Sequence, residues 1–348
     1  MTAALRRAWL AVACSASSLV CACADAQPVP EPKPPQASGD CALAEGAPLR
    51  LAARSVLHDD AQPEPLTLEA GRLRVRSVLH LYAPDEARFG GLSGAMIEGD
   101  CLSLIGDRGL LVRAAMQFDS AGDLAALHDA SMLPLQSTGA IDTESITRSD
   151  DGALITAMET PPRLGRIAGD RVEIDVPFER VPPAIRAQPG NETLESVTNG
   201  GDGRLILLSE SPQDEGISHP GWFIGADGRQ GTFTYLAAPG FRPTGLARLG
   251  TQIYVLERGL ALLGGWFARL SVFDVSEVAD GATVRPAELG RLYAPLPMDN
   301  FEGLAARLDG AGHAHLFLVA DDNFFAVQRS LLMHVSVEPA AARDHAMR

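Results

Sequence analysis

A pattern that recurs five times constrains the fold of this chain more than any other feature. In each copy a short acidic or polar step begins an apolar segment, and the copy ends on a carboxylate. The steps begin at Ser93, Glu144, Glu195, Thr244 and Glu302, and the carboxylates are Asp107, Glu159, Glu210, Glu257 and Asp321. Successive steps are 51, 51, 49 and 58 residues apart, and a period of this length made of short strands is typical of a β-propeller. We therefore expect an all-β fold whose repeated acids meet at one mouth of the axial channel.

The strands outside the repeats predict how the ring closes. Residues 45–88 contain two strand-like runs, 49–57 and 73–81, but no acidic step. We expect these residues to add an outer strand to the last blade, beside residues 330–337. The motif count predicts five blades, with six as the alternative if residues 45–88 form most of another blade.

The charge of the chain excludes two classes of partner. Its 348 residues carry a formal charge of −15, and Lys33 is the only lysine. Nucleic acids and anionic membranes bind surfaces rich in Lys and Arg, so we expect neither as a partner. An acidic site suits metal cations, or anions bridged through a metal, although a solubilising surface explains most of this charge.

The first residues are typical of an export signal. Arg6 and Arg7 precede a short apolar run at residues 9–20, and small residues suitable for cleavage follow at 22–26. Cys23 lies in an imperfect lipobox, so an outer-membrane lipoprotein anchored at Cys23 and a freely exported periplasmic or extracellular protein remain alternatives. The apolar run is too short for a membrane span, and we expect no transmembrane segment in the mature chain. The predicted organisation is a signal at 1–26, a proline-rich spacer at 27–40, the propeller at 41–338 and a tail at 339–348.

Two of the five cysteines fall in the predicted propeller. Cys41 and Cys101 form an even pair in an exported chain, which favours one disulfide. Such a bond would join the N-terminal segment to the first blade. Two separate buried thiols are the alternative.

Several segments together resemble a known family, the secreted phytase-like proteins described as "esterase-like activity of phytase". They are residues 90–94 (GGLSG), 105–109 (IGDRG), 142–146 (DTESI), 192–196 (ETLES), 300–304 (NFEGL) and 321–324 (DDNF), with Gln328 and Arg329. The resemblance runs from about residue 45 to 338. It implies a β-propeller that hydrolyses esters or phosphoesters with Ca²⁺, although this chain has no lysine after the spacer to bind a substrate phosphate.

The repeated acids are the candidate metal ligands. Several carboxylates at one narrow mouth repel each other, and a bound cation or a raised pKa relieves the repulsion. Ca²⁺ accepts six to eight oxygen ligands in flexible geometry, which suits acids from different blades. We predict that Ca²⁺ binds some subset of Asp107, Glu144, Glu159, Glu195, Glu210, Glu257, Glu302 and Asp321. Inter-blade ion pairs with arginine are the alternative role for these acids.

Two arginines directly follow two of these acids and are candidate substrate ligands. A glycine comes after Arg108 and after Arg258, so the chain can turn there and each pair can line the mouth. A guanidinium beside Ca²⁺ would hold a phosphate or carboxylate. Neutralising the acid of a neighbouring blade is the alternative role.

The sequence therefore predicts a monomeric, exported hydrolase that acts on a small anionic or ester substrate. No Gly-x-Ser-x-Gly motif occurs, so we expect Ca²⁺ to neutralise the reacting oxygen while Glu144, Glu195 or Glu302 activates water. The competing hypothesis is a non-catalytic propeller that binds a ligand or a partner protein and uses Ca²⁺ to rigidify the ring.

Overall fold

The computed structural model of the protein describes residues 41–57, 73–190, 192–213, 216–262 and 265–338. These residues form five sheets arranged as the five blades of a β-propeller. The predicted signal and spacer (1–40) and the predicted tail (339–348) lie outside the described residues.

The strands of the described residues are short and follow one another with few helical turns. In chain order they are β1 (Ala47–Pro48), β2 (Ala52–Ser55), β3 (Leu73–Tyr82), β4 (Leu92–Glu98), β5 (Cys101–Gly106), β6 (Leu110–Phe118), β7 (Leu124–Pro134), β8 (Gln136–Ser137), β9 (Thr143–Arg148), β10 (Leu154–Met158), β11 (Arg163–Ala168), β12 (Arg171–Val176), β13 (Leu194–Asn199), β14 (Arg204–Ser209), β15 (Ser218–Gly225), β16 (Gln230–Leu236), β17 (Arg242–Leu249), β18 (Gln252–Ala261), β19 (Gly265–Asp274), β20 (Thr283–Val284), β21 (Ala287–Leu292), β22 (Asn300–Leu308), β23 (Ala314–Asp321) and β24 (Leu331–Val337). Two 3₁₀ turns, Phe178–Arg180 and Val275–Glu277, and one helical turn, Pro183–Arg186, connect them.

Each blade begins at the axis and runs outward. The sheets have the orders β4-β5-β6-β7-β1, β9-β10-β11-β12-β8, β13-β14-β15-β16-β20, β17-β18-β19-β21 and β22-β23-β24-β3-β2, which we number blades 1 to 5. The inner strands β4, β9, β13, β17 and β22 contact one another around the ring. The five steps of the sequence repeat therefore all lie beside the axis.

The N-terminal segment closes the ring, as the sequence predicted. Strand β3 pairs with β24, with Leu73 opposite Val337 and His80 opposite Leu331. Strand β2 extends this sheet outward. The prediction of five blades is confirmed, and residues 45–88 do not form a sixth.

A β-bulge interrupts every inner strand at the same position of the repeat. The pairing with the second strand skips one residue in each blade, namely Ser93, Glu144, Glu195, Thr244 and Glu302. A bulge bends its strand and changes the direction of a side chain. The first residue of each repeated step is thus the bulged residue of its inner strand, and it lies beside the axis without a partner in the strand pairing.

Small residues after the bulge allow the inner strands to approach closely. A Cβ atom on Gly94 would lie 2.6 Å from the Cα atom of Ser145 in the next blade, and one on Gly245 would lie 2.7 Å from the Glu302 carbonyl oxygen. The cavity between these strands has a volume of about 10 Å³, about the space that one water occupies. The channel is therefore nearly closed below the mouth.

Apolar side chains pack between neighbouring blades. Five buried clusters lie between successive blades, for example around Phe317 between blades 5 and 1, and around Trp222 between blades 2 and 3.

Cys41 and Cys101 form a disulfide with their Cα atoms 5.5 Å apart, which confirms the predicted pairing. No helix of the described residues has the length and hydropathy needed to cross a membrane.

Candidate functional site

Three glutamates converge at the mouth of the channel where the inner strands begin. Glu144, Glu195 and Glu302 occupy the bulge positions of blades 2, 3 and 5 and are 7%, 4% and 7% exposed. Blades 1 and 4 carry Ser93 and Thr244 at the same position. Sequence reasoning predicted all three glutamates as site residues, and the bulges explain how residues so far apart come together.

Most of the acids that end the second strands lie around these glutamates. The acids that act on one another electrostatically are Asp107, Asp142, Glu144, Glu159, Glu195, Glu210, Glu302 and Asp321. We call this set the acidic mouth. Burial, reinforced by the neighbouring carboxylates, holds the pKa of Glu144 and Glu195 well above its usual range. Burial also raises the pKa of Asp107 and Asp321 to about 6 and that of Glu159 and Glu302 to about 7.

One group within the acidic mouth has the geometry of a metal site. Asp142, Glu144 and Glu159 each offer a carboxylate oxygen, and these oxygens lie within 4.8 Å of one another. The backbone holds the group together, because the Glu159 N–H donates to the Asp142 carbonyl (3.1 Å) and the Thr193 N–H donates to Glu159 Oε1 (2.7 Å). Sequence reasoning missed Asp142 as a ligand, although its position two residues before Glu144 was the available signal.

The hydrogen bonding of this group suits cation binding. Glu144 is more than nine-tenths buried, and no hydrogen bond to its carboxyl group occurs among the residues that the structure describes. Within the same residues, Asp107 Oδ1 is a fully buried oxygen without a partner. Buried carboxylates that lack donors are costly unless a proton or a cation compensates them. An all-oxygen ligand set of this kind suits Ca²⁺.

Arg258 neutralises another part of the acidic mouth. Its Nη1 donates to Asn300 Oδ1 and Glu302 Oε1, and its Nη2 and Nε donate to Glu210 Oε1 at 3.0 and 3.3 Å. Burial lowers the pKa of Arg258, but the carboxylates around it outweigh burial and raise that pKa overall. The guanidinium also lies 5.7 Å from the ring of Trp266. Arg258 thus faces the mouth, while its direct partners are protein oxygens.

Glu257 lies apart from the acidic mouth. Its carboxylate is fully buried and accepts two hydrogen bonds from Arg269 Nη1 (2.6 and 2.7 Å). Tyr235 of blade 3 also donates to it, and Ser271 donates at 3.0 Å. Arg269 lies in β19, so this ion pair forms within blade 4, and the Tyr235 hydroxyl provides the link to blade 3. Both Glu257 oxygens already have donors.

Arg108 is an exposed cation at the mouth. Its guanidinium lies 3.6 Å from the centre of the Phe324 ring, and it follows Asp107 directly. No ion pair to Arg108 occurs among the residues that the structure describes. The loop that carries Phe324 is fixed to blade 1 because Asp322 Oδ1 accepts from the Gly91 N–H (2.9 Å). Of the two predicted substrate arginines, Arg108 has donors available to a ligand.

The chain shows distant similarity to several solved structures. The chain is similar to a luciferin-regenerating enzyme (10% identity, 73% of this chain and 96% of that one, TM-score 0.39). It is also similar to a gluconolactonase from Xanthomonas campestris (16%, 83% and 100%, 0.41) and a virginiamycin B lyase from Staphylococcus aureus (11%, 83% and 99%, 0.41). A comparison with functionally curated proteins found no significant match.

The sequence profile of one protein family matches residues 87–324, which include all five bulges and the whole acidic mouth. This match covers more than half of the chain and agrees with the segments that suggested the resemblance. The protein belongs to the phytase-like family described as "esterase-like activity of phytase".

Proposed function

We propose that the protein is a Ca²⁺-dependent hydrolase of an anionic ester or phosphoester, with its reaction centre at the acidic mouth. The observation that carries the proposal is Glu144, a buried carboxyl group that accepts no hydrogen bond from the described residues and lies beside Asp142 and Glu159. These three residues would hold the ion, and Asp107 would add an oxygen from blade 1. When bound, Ca²⁺ would polarise the reacting carbonyl or phosphoryl oxygen of the substrate.

Two further carboxyl groups have pKa values suited to proton transfer. Glu195 hydrogen-bonds to Glu159, and burial keeps the pKa of Glu195 well above its usual range, which favours the protonated form that can donate to a leaving oxygen. Burial raises the pKa of Glu302 to about 7, near the value that favours a general base acting on water. Arg258 and Asn300 fix the position of Glu302.

Substrate binding is assigned to Arg108. Its exposed guanidinium stacks on Phe324 at the edge of the mouth, and stacked arginines bind phosphate and carboxylate groups through planar, paired donors. A negatively charged group of the substrate would bridge Arg108 and the metal position.

We also propose that the mature chain is an exported monomer. The disulfide between Cys41 and Cys101 supports an oxidising compartment, since such bonds rarely persist in the cytosol. The signal at residues 1–26 would direct export, with either cleavage or lipidation at Cys23.

A non-catalytic, Ca²⁺-stabilised propeller is the second candidate. The observation in its favour is that Arg258 already neutralises Glu210 and Glu302 within the protein. In this case the mouth would bind a ligand or a partner protein, and the ion would stabilise the ring.

A hydrolysis panel on the purified mature protein separates the two candidates. Nitrophenyl acetate, butyrate and phosphate, together with inositol hexakisphosphate, are tested in Ca²⁺ and in EDTA, and Ca²⁺ affinity is measured by calorimetry. Glu144→Gln should weaken Ca²⁺ binding and abolish turnover, whereas Glu195→Gln should lower turnover and keep Ca²⁺ bound. Glu173→Gln, on an exposed outer strand, is the control and should resemble wild type. Ca²⁺ binding without turnover on any substrate favours the non-catalytic propeller, and no Ca²⁺ binding contradicts both candidates.

A further inference from the structure

Arg258 lies among oxygen atoms that resemble a cation site. Glu210 comes from blade 3, Asn300 and Glu302 from blade 5, and Arg258 itself from blade 4. The guanidinium contacts one side-chain oxygen of each. The side chains of Glu210, Glu302 and Arg258 are only 6%, 9% and 15% exposed. Two carboxylates and an amide oxygen from two blades thus converge on one buried positive group.

The other side of the mouth has acids but no equivalent arginine. Asp142, Glu144 and Glu159 form no ion pair with any arginine among the residues described. Arg163 is the cation that acts on Asp142 electrostatically, but it donates to the carbonyls of Pro161 and Ala140 instead. Among the described residues, the mouth is therefore divided into a half that an arginine neutralises and a half that has no arginine partner.

We propose that Arg258 occupies the second of two cation positions in the acidic mouth. The ligand set of this second position is Glu210, Asn300 and Glu302, and the guanidinium fills it permanently. The protein would consequently bind one divalent ion, at Asp142, Glu144 and Glu159, which rests on the proposed function. Hydrolases with two metal ions use both charges to stabilise the attacking and leaving oxygens, and here Arg258 would supply the second charge without a second ion.

The proposal predicts that removing the guanidinium opens a metal site. Arg258→Ala leaves two buried carboxylates and an amide oxygen without their cation, and hard cations such as Ca²⁺ and Tb³⁺ bind such oxygens. Arg258→Lys keeps a positive charge and should leave the position filled. Arg242→Ala is the matched control, because Arg242 is more exposed and pairs mainly with Glu192 (2.9 Å).

Ion stoichiometry measured by calorimetry with Ca²⁺ tests the proposal. We expect one ion in wild type, Arg258→Lys and Arg242→Ala, and two in Arg258→Ala. Adding Glu210→Gln and Glu302→Gln to Arg258→Ala should return the count to one. Tb³⁺ gives an independent reading, since Trp266 lies 5.7 Å from the guanidinium carbon. Emission sensitised by tryptophan should increase in Arg258→Ala, and this increase should disappear when Trp266→Phe is added.

The outcomes separate this proposal from the proposed function. One ion in both wild type and Arg258→Ala overturns the second position and leaves the first intact. No ion in wild type but one in Arg258→Ala supports the second position and contradicts the proposed Ca²⁺ site. Two ions in Arg258→Lys overturn the proposal, because the ammonium should fill the position. An Arg258→Ala protein that stays unfolded in millimolar Ca²⁺ also overturns it, since an opened cation site should be refilled and should restore the fold.

Discussion

The pH dependence of stability should change when the Glu144 charge is removed. Burial without donors raises the pKa of Glu144 well above its usual range. A carboxyl group with a raised folded-state pKa stabilises the fold only at low pH, and that contribution is lost as pH rises above the unfolded-state pKa. Without metal, wild type should therefore become less stable as pH rises from 6.5 to 8.5. Glu144→Gln should lose less stability over this interval, because its amide has no charge to bury.

The size of the difference follows from the pH interval. One pH unit corresponds to about 1.4 kcal/mol for a group that is protonated when folded and ionised when unfolded. Over two units Glu144 contributes at most about 2.7 kcal/mol, and less if it ionises within the interval. The buried histidine His334, whose pKa burial lowers to about 2, affects both proteins equally and cancels in the comparison.

Calcium should reverse the order of stability of wild type and Glu144→Gln. In EDTA at pH 8.5, urea denaturation should show Glu144→Gln to be more stable than wild type. Ca²⁺ at a hundredfold excess over its dissociation constant should then add about 2.7 kcal/mol to wild type and much less to the variant. If Glu144→Gln is less stable than wild type in EDTA, or gains as much from Ca²⁺, the assignment of Glu144 as a metal ligand is wrong.

Three further predictions concern the ring itself. Arg269→Met leaves the Glu257 carboxylate buried without its cation, and urea denaturation should show a loss of about 3–5 kcal/mol that adding Glu257→Gln partly restores. Gly94→Ala places a Cβ atom against the backbone of the next blade and should cost about 1–3 kcal/mol by the same assay, whereas Gly139→Ala, which meets no neighbouring atom, should change stability by less than about 0.5 kcal/mol. Cys101→Ser opens the disulfide and should lower the unfolding free energy by about 2–4 kcal/mol, with reductant reproducing the loss in wild type; equal stability of oxidised and reduced protein would contradict this.

The sequence predicted the propeller and the positions of its repeats because one blade supplies one step and one closing acid. It also predicted ring closure, since the strands before the first step needed a partner sheet. It did not predict the bulges: a bulge depends on how two strands pair, and that pairing leaves no distinct residue type at positions as different as Ser93 and Glu144. Asp142 was missed for a related reason, because it precedes its strand and its position depends on the hydrogen bond from the Glu159 N–H.

Glu257 and Arg258 show that a residue's position in the repeat does not by itself determine whether its side chain reaches the mouth. Strand β18 continues to Ala261, so these two neighbours are still within a strand and point to opposite sides. Arg258 faces the mouth, whereas Glu257 is bound by Arg269 of its own blade and by Tyr235 of blade 3. In blade 1 the strand ends at Gly106, and Asp107 is therefore free to contribute to the mouth. In blade 4 the residue that reaches the mouth is therefore Arg258 and not the repeated acid.

The bulged residue and the residue that follows it have different structural roles, and each role depends on the other. A five-bladed ring has a narrow axis, and the residue after the bulge must be Gly or Ser because the next blade lies against it, as at Gly94, Ser145 and Gly303. The bulged residue precedes this small residue, and the next blade leaves no space for its side chain deeper in the channel. The side chain therefore points into the mouth, where Glu144 and Glu302 lie close to other acids. Close packing at the axis therefore concentrates carboxyl groups at the mouth, and protons or a cation must compensate them. Arg258 compensates one half, and the other half couples the stability of the ring to whatever ion it binds.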